Sequence, residues 1–165
     1  MSLRRIWRHL LATRWQMQQR FNEPVRQLIA REIKAAEQRH AGEICFAVEA
    51  ALDWQRLRSG MTPRARALEL FASLGVWDTA ANNGVLIYLL LADRSVEFVA
   101  DRGLSDQIAD NEWQPLCREV ETHYRAGHDA EGCVAAIRGV AALLQKHFPN
   151  SPGDRDELPN QPFLL

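Results

Sequence analysis

Residues 85–92 read VLIYLLLA, the longest wholly apolar run in the chain. It falls far short of the ~20 residues that a membrane-spanning helix needs. Nor does any polar residue alternate through it, as in a strand with one wet face. Such a run is a central β-strand covered on both sides, and that requires helices above and below it. Its neighbour follows directly: Asp93 and Arg94 make a turn, and VEFVAD returns antiparallel, with Glu97 marking a more exposed partner.

Other segments supply the remaining layers. In EICFAVE, residues 43–49, Ile44, Phe46 and Val48 alternate with Cys45 and Ala47, the pattern of a mostly buried strand. Val25, Leu28, Ile29, Ile33 and Ala36 repeat at helical spacing as far as His40, between Asn22-Glu23-Pro24 and Gly42. Thr62 caps a helix with Ala65, Leu68, Phe71, Ala72 and Leu74 on its apolar side, closed by Gly75. Residues 51–61 are polar and read as a loop with one helical turn. A helical region over about 105–124 turns Ile108, Trp113, Leu116, Val120 and Tyr124 inward, and a last helix over 133–147 carries Val134, Ile137, Val140, Ala141 and Leu144. The expected fold is α/β, a three-layer α/β/α sandwich with a small mixed sheet, preceded by an N-terminal amphipathic helix.

That first helix is expected over residues 1–22, with the α/β/α domain over 23–148 and a Pro/Asp-rich, partly disordered tail over 149–165. Projected at 100° per residue, Leu3, Ile6, Trp7, Leu10, Leu11, Trp15, Met17 and Phe21 share one half of the helix, and Arg5, Arg8, His9, Gln16, Gln19 and Arg20 the other. Two functions suit it: docking on the domain's own core, or meeting a protein partner or anionic membrane surface through Arg5, Trp7, Arg8 and Trp15. Charge placement suits an anionic partner surface or simply the body's own acidic face. Residues 1–34 hold eight Lys/Arg against two Glu, whereas the rest holds twelve against nineteen Asp/Glu.

The same composition excludes several classes. Cys45, Cys117 and Cys133 have no CxxC spacing and an odd count, which argues against a zinc ribbon or a disulfide framework and for a reducing cytoplasm. The N-terminus has no unbroken apolar core of a signal peptide. G-x-S-x-G, the P-loop and the dinucleotide-binding glycine pattern are absent, so neither a serine nucleophile nor a nucleotide cofactor is expected. No recognised nucleic-acid module accompanies the basic arm.

Three strings carry a resemblance. HAGEICFAVE, FASLGVWDTAANNGVLIYLLLADRSVEFVADRGL and YRAGHDAEGCVAAIRGVAALLQKHF are similar, in content, order and spacing, to the TPM domain found in a thylakoid-lumen acid phosphatase, a photosystem II repair protein and many bacterial proteins. The resemblance covers residues 24–148. It implies a compact α/β/α sandwich and, for function, weak acid phosphatase activity, calcium binding, or roles in assembly and repair. The chain departs from the family in having a basic amphipathic segment where secreted relatives have a short Asp-bearing strand.

Strand direction sorts the polar residues into two ends. If strand 43–49 leads through a right-handed crossover to a parallel strand at Val85, Glu43 lies beside Asn83 and Gly84, and the hairpin returns Asp101 and Arg102 to the same end. Glu43, Asp78, Asn82, Asn83 and Asp101 then form a rim of oxygens suited to Ca²⁺ or Mg²⁺. Asp78, Asp101 and Arg102 become candidates for metal-assisted phosphomonoester hydrolysis, with Arg102 pairing the phosphate. Two readings stay open: a non-catalytic binding or assembly module, or an acid phosphatase. Asn82 and Asn83 as plain turn residues and Asp78 as a cap would serve neither. The opposite end, with Glu49, Asp53, Asp93 and Arg94, is expected to be turn geometry alone.

Overall fold

The computed structural model describes residues 2–149 and 156–165. In chain order the elements are α1 (Leu3–Leu11), α2 (Arg14–Arg20), α3 (Glu23–Glu37), β1 (Glu43–Glu49), α4 (Trp54–Arg58), α5 (Pro63–Ser73), β2 (Gly84–Leu90), β3 (Ser95–Ala100), α6 (Arg102–Ser105), α7 (Asp110–Ala126), α8 (Asp129–His147) and β4 (Phe163–Leu164). The sheet order is β3-β2-β1-β4. β1 pairs parallel with β2 and with β4, while β2 and β3 form the antiparallel hairpin.

Every residue of β1 and of β2 is buried, as an unbroken apolar run demands. Val85, Ile87 and Leu89 point into a cluster with Ile29 and Ile33 of α3, Val120 of α7 and Ile137 and Val140 of α8. Their neighbours Leu86, Tyr88 and Leu90 point the other way, onto Ala67 and Leu70 of α5. Helices on both faces of a mixed sheet give the three layers.

Caps set most helix starts. Thr62 Oγ1 accepts the Ala65 N–H at 3.1 Å and Asn22 Oδ1 that of Val25 at 3.3 Å, each followed by a first-turn proline. Boundaries differ from expectation in three places. α3 stops at Glu37 rather than His40, because His40 turns aside to bridge Pro149. The helix expected over about 105–124 starts only at Asp110, as α7, after a short separate turn, α6, at Arg102–Ser105. α8 begins four residues earlier than expected, at Asp129 rather than residue 133.

Two larger differences lie at the ends. The single helix expected over 1–22 is broken at Ala12-Thr13, where Thr13 Oγ1 accepts from Gln16 N and Gln16 Oε1 accepts from Thr13 N, closing a reciprocal cap. Only Met17 and Phe21 of its apolar side reach the core. Residues 150–155 of the expected disordered tail lie outside the described residues, but 156–165 are ordered: Leu158 is buried, and Phe163 and Leu164 add an edge strand beside Ala47 and Val48. Among the described residues no helix is long and apolar enough to cross a membrane.

Candidate functional site

Parallel register puts Glu43 opposite Gly84, and the Asp101 N–H donates to Gly84 O at 2.9 Å, so the loops before β1 and β2 and after β3 meet at one rim. Packing there is close. A Cβ on Gly84 would stand 2.1 Å from Val76 O, and one on Gly103 would stand 2.5 Å from Asn82 O. Asn82 takes a left-handed φ of 52°, which asparagine tolerates, and its Oδ1 accepts from Arg102 Nε at 3.0 Å.

Asn83 is 3% exposed. Its N–H donates to Thr79 Oγ1 at 3.0 Å, its backbone oxygen accepts from Glu43 N at 3.1 Å, and its side-chain amide donates to Ala41 O. That last bond fixes the amide orientation, since a flipped group would set oxygen against oxygen. Asn83 Oδ1 is thus left buried without a hydrogen-bond partner among the described residues. Asp101, 8% exposed, accepts the Arg102 N–H on Oδ1 at 2.7 Å, and its Oδ2 is likewise buried and unpartnered. Each such buried oxygen is costly unless something bonds it.

The other expected rim residues fare differently. Glu43 is buried, and its Oε2 accepts the N–H groups of Glu157 and Leu158, both at 3.2 Å, so this carboxylate anchors the returning C-terminal segment. Asp78 is exposed on the α5–β2 loop, with no side-chain hydrogen bond or ion pair among the described residues. Among those residues no three His, Cys, Asp or Glu side chains gather where one ion would be held. Any cation here must therefore draw on amide oxygens and water besides Asp101.

The opposite rim is more than turn geometry. Arg5 Nε and Nη2 reach Asp93 at 3.0 and 2.8 Å, Arg8 stands 3.2 Å from it, and so does His9 Nε2. Leu52 N–H donates to His9 Nδ1 at 3.1 Å, so the neutral ring carries its proton on Nε2, facing Asp93. Burial pushes the His9 pKa down, and the charges of Arg5 and Arg8 add to this against the pull of Asp93. Burial pushes Asp93 upward, but its bond from Arg5 and the charges of His9 and Arg5 leave it below the ordinary range. Beside this cluster Glu49 binds Arg66 through two contacts, 2.9 and 3.1 Å, and accepts from Tyr88 Oη at 2.7 Å. Neither cluster is visible from local sequence, since each joins residues far apart in the chain. Nucleophilic thiol chemistry has no support here: burial pushes Cys45 and Cys133 up to about 12 and Cys117 to about 11.

The model of the TPM domain matches residues 16–143, most of the chain. The chain belongs to the TPM domain family. The match starts inside α2 and ends inside α8. The chain's fold is similar to the NMR structure of the BA42 protein from the psychrophilic bacterium Bizionia argentinensis, with a TM-score of 0.76 and 27% identity over 86% of this chain and 93% of that one. No curated protein matches the chain.

Proposed function

We propose that this TPM domain is a non-catalytic binding and assembly module whose Asn82–Gly84/Asp101–Gly103 rim holds a divalent cation. The observation that supports this reading is the pair of buried, unpartnered oxygens, Asp101 Oδ2 and Asn83 Oδ1. Hard cations take oxygen ligands, and Mg²⁺ in particular keeps several waters and needs few protein groups. With one free carboxylate the affinity is expected to be low, of the order of 10⁻⁴ to 10⁻³ M. Calorimetric titration with Ca²⁺ and with Mg²⁺ tests it: binding heat lost in Asp101→Asn supports the rim, and no heat with either ion in the parent chain rejects it. The outward apolar side of α1 and α2 is the module's docking face.

A second reading, metal-assisted phosphomonoester hydrolysis, is favoured by one contact. Arg102 is tied through Nε to Asn82 beside Asp101, where its remaining donors can meet a phosphate. Under that reading cation-dependent hydrolysis disappears in Asp101→Ala while the fold persists; unchanged hydrolysis in the variant rejects it.

A further inference from the structure

Amphipathic helices on a soluble domain turn their apolar side to the core. α1 does the opposite. Asp93, almost buried, draws Arg5 and His9 inward, and His9 is only 5% exposed. Rotating the basic side toward the body leaves Leu3, Trp7, Leu10 and Leu11 between 61% and 75% exposed, and Trp15 of α2 is 67% exposed. These five are most of the exposed large apolar side chains among the described residues. The core gains nothing from them, because Met17 and Phe21 already anchor α2. A contiguous exposed stripe of this kind marks a contact surface.

Charge decides what covers it. Residues 1–22 carry five arginines and no acid. Arg4 and Arg14 are exposed on these helices with no ion pair among the described residues, and Arg8 is half-exposed. Beside Arg20 of α2 opens a cavity of about 300 Å³, lined also by Arg94, Arg125 and Ser95. Arg20 is bound to Asp129 and Arg125 to Glu121, so the uncompensated cation is Arg94, which has no ion pair among the described residues. Ser95 Oγ is buried without a partner there. A smaller hollow shares Arg20 with Ala12, Thr13 and Gln16, which places the basic cavity against the helices that carry the stripe. Indole rings seat at a headgroup boundary with their N–H toward water, and arginines bind phosphate oxygens.

Resting on the docking-face reading above, we propose that the occupant is the surface of an anionic phospholipid bilayer. Trp7, Leu10, Leu11 and Trp15 lie at the headgroup boundary, and Arg4, Arg14 and Arg94 meet lipid phosphates, with Arg94 bringing one toward the cavity. Binding is peripheral and reversible, and its strength follows the anionic lipid content.

The test is flotation of the full chain with vesicles of phosphatidylcholine alone and of phosphatidylcholine mixed with phosphatidylglycerol, at low and high salt. Recovery with the mixed vesicles at low salt should exceed that with neutral vesicles, or at high salt, by about tenfold, because surface-charge attraction is screened. The double variant Trp7→Ser/Trp15→Ser, altered only at exposed positions, should stay in the bottom fraction with an unchanged far-ultraviolet circular dichroism spectrum. Arg94→Asn, which tolerates the left-handed φ of 53°, should lose part of the preference for anionic vesicles. Equal recovery with neutral vesicles overturns the proposal, as does no recovery at all. Sedimentation velocity separates the two readings: absent flotation with a concentration-dependent dimer that the Trp variant abolishes means a second copy covers the face, and the docking face stands. Absent flotation with a monomer in both chains removes the docking face as well.

Discussion

Arg5 grips Asp93 with two nitrogens, at 3.0 and 2.8 Å, across 88 positions of sequence. This pair clamps α1 to the tip of the β2–β3 hairpin. In Asp93→Ala, Arg5, Arg8 and His9 would face one another with no counter-charge. Loss of about 2 to 3 kcal/mol of docking free energy is expected, toward the low end for breaking a buried pair because Arg5 keeps some solvent. Amide exchange across Leu3–Leu11 should quicken while β2 stays protected. Unchanged exchange in α1 would show that the clamp does not hold it.

The Glu49 carboxylate, buried between Arg66 and Tyr88, makes a second testable knot. Arg66→Ala strands an uncompensated charge, and urea denaturation should show about 3 kcal/mol of lost stability. Tyr88→Phe removes one charge-assisted bond and keeps the ring, so its cost should be nearer 1.5 kcal/mol. Burial, with the Glu49 charge and bond, pushes the Tyr88 phenol far above its usual range, so absorbance titration should find it protonated throughout the folded range. A reversal of the two stability costs would contradict this arrangement.

Acid should weaken the fold through His40. Burial drives its pKa from the ordinary 6.5 to about 4, against help from the Gly42 backbone and with the Arg39 charge adding to the fall. The unfolded chain therefore takes up this proton first as pH drops. Stability from this group is complete above pH 6.5, declines from there to about pH 4, and is flat below, a total of about 3 kcal/mol. Asp93, held below its ordinary 3.8, keeps its stabilisation above that pH and gives it up only in still more acidic solution. Chemical denaturation at successive pH values should show this decline, steepened by His9, whose pKa burial also lowers, and His40→Asn should make it shallower; an equal slope in the variant would assign the loss elsewhere.

Gly84 has no room for a side chain. In Gly84→Ala the new carbon would meet the Val76 carbonyl at 2.1 Å, a backbone atom that cannot swing aside. A loss of about 3 kcal/mol is expected from such overpacking, with distortion of the Asn83 and Asp101 rim. Thermal denaturation with the parent's midpoint would show that the α5–β2 loop yields more easily than its packing implies.

Much of this architecture was legible in local pattern. Residues 43–49 and the run beginning at Val85 announced two buried strands. The register of a parallel pair followed by a hairpin then put Glu43, Asn83 and Asp101 at one end without further information. Orientation was not legible. An amphipathic pattern says that one side of a helix is apolar but not which side meets the body, and α1 is turned by Asp93 from the hairpin. The break at Thr13 did leave a signal, a threonine followed three residues later by glutamine, the spacing of a reciprocal cap. β4 left almost none, because FLL is too short to show a period. The two amide donors that claim Glu43 come from more than a hundred residues downstream.

β4 is only two residues long, yet it lies along the flank of β1, with the Leu165 N–H reaching Val48 O at 2.9 Å. Stripped of that cover, β1 would present unpaired amides and carbonyls along a mostly apolar strand, a template onto which strands of other molecules could add. The last residues of the chain thus act as a selvedge, keeping the weave from joining its neighbours, and proteolytic trimming of them should show first as turbidity rather than as unfolding.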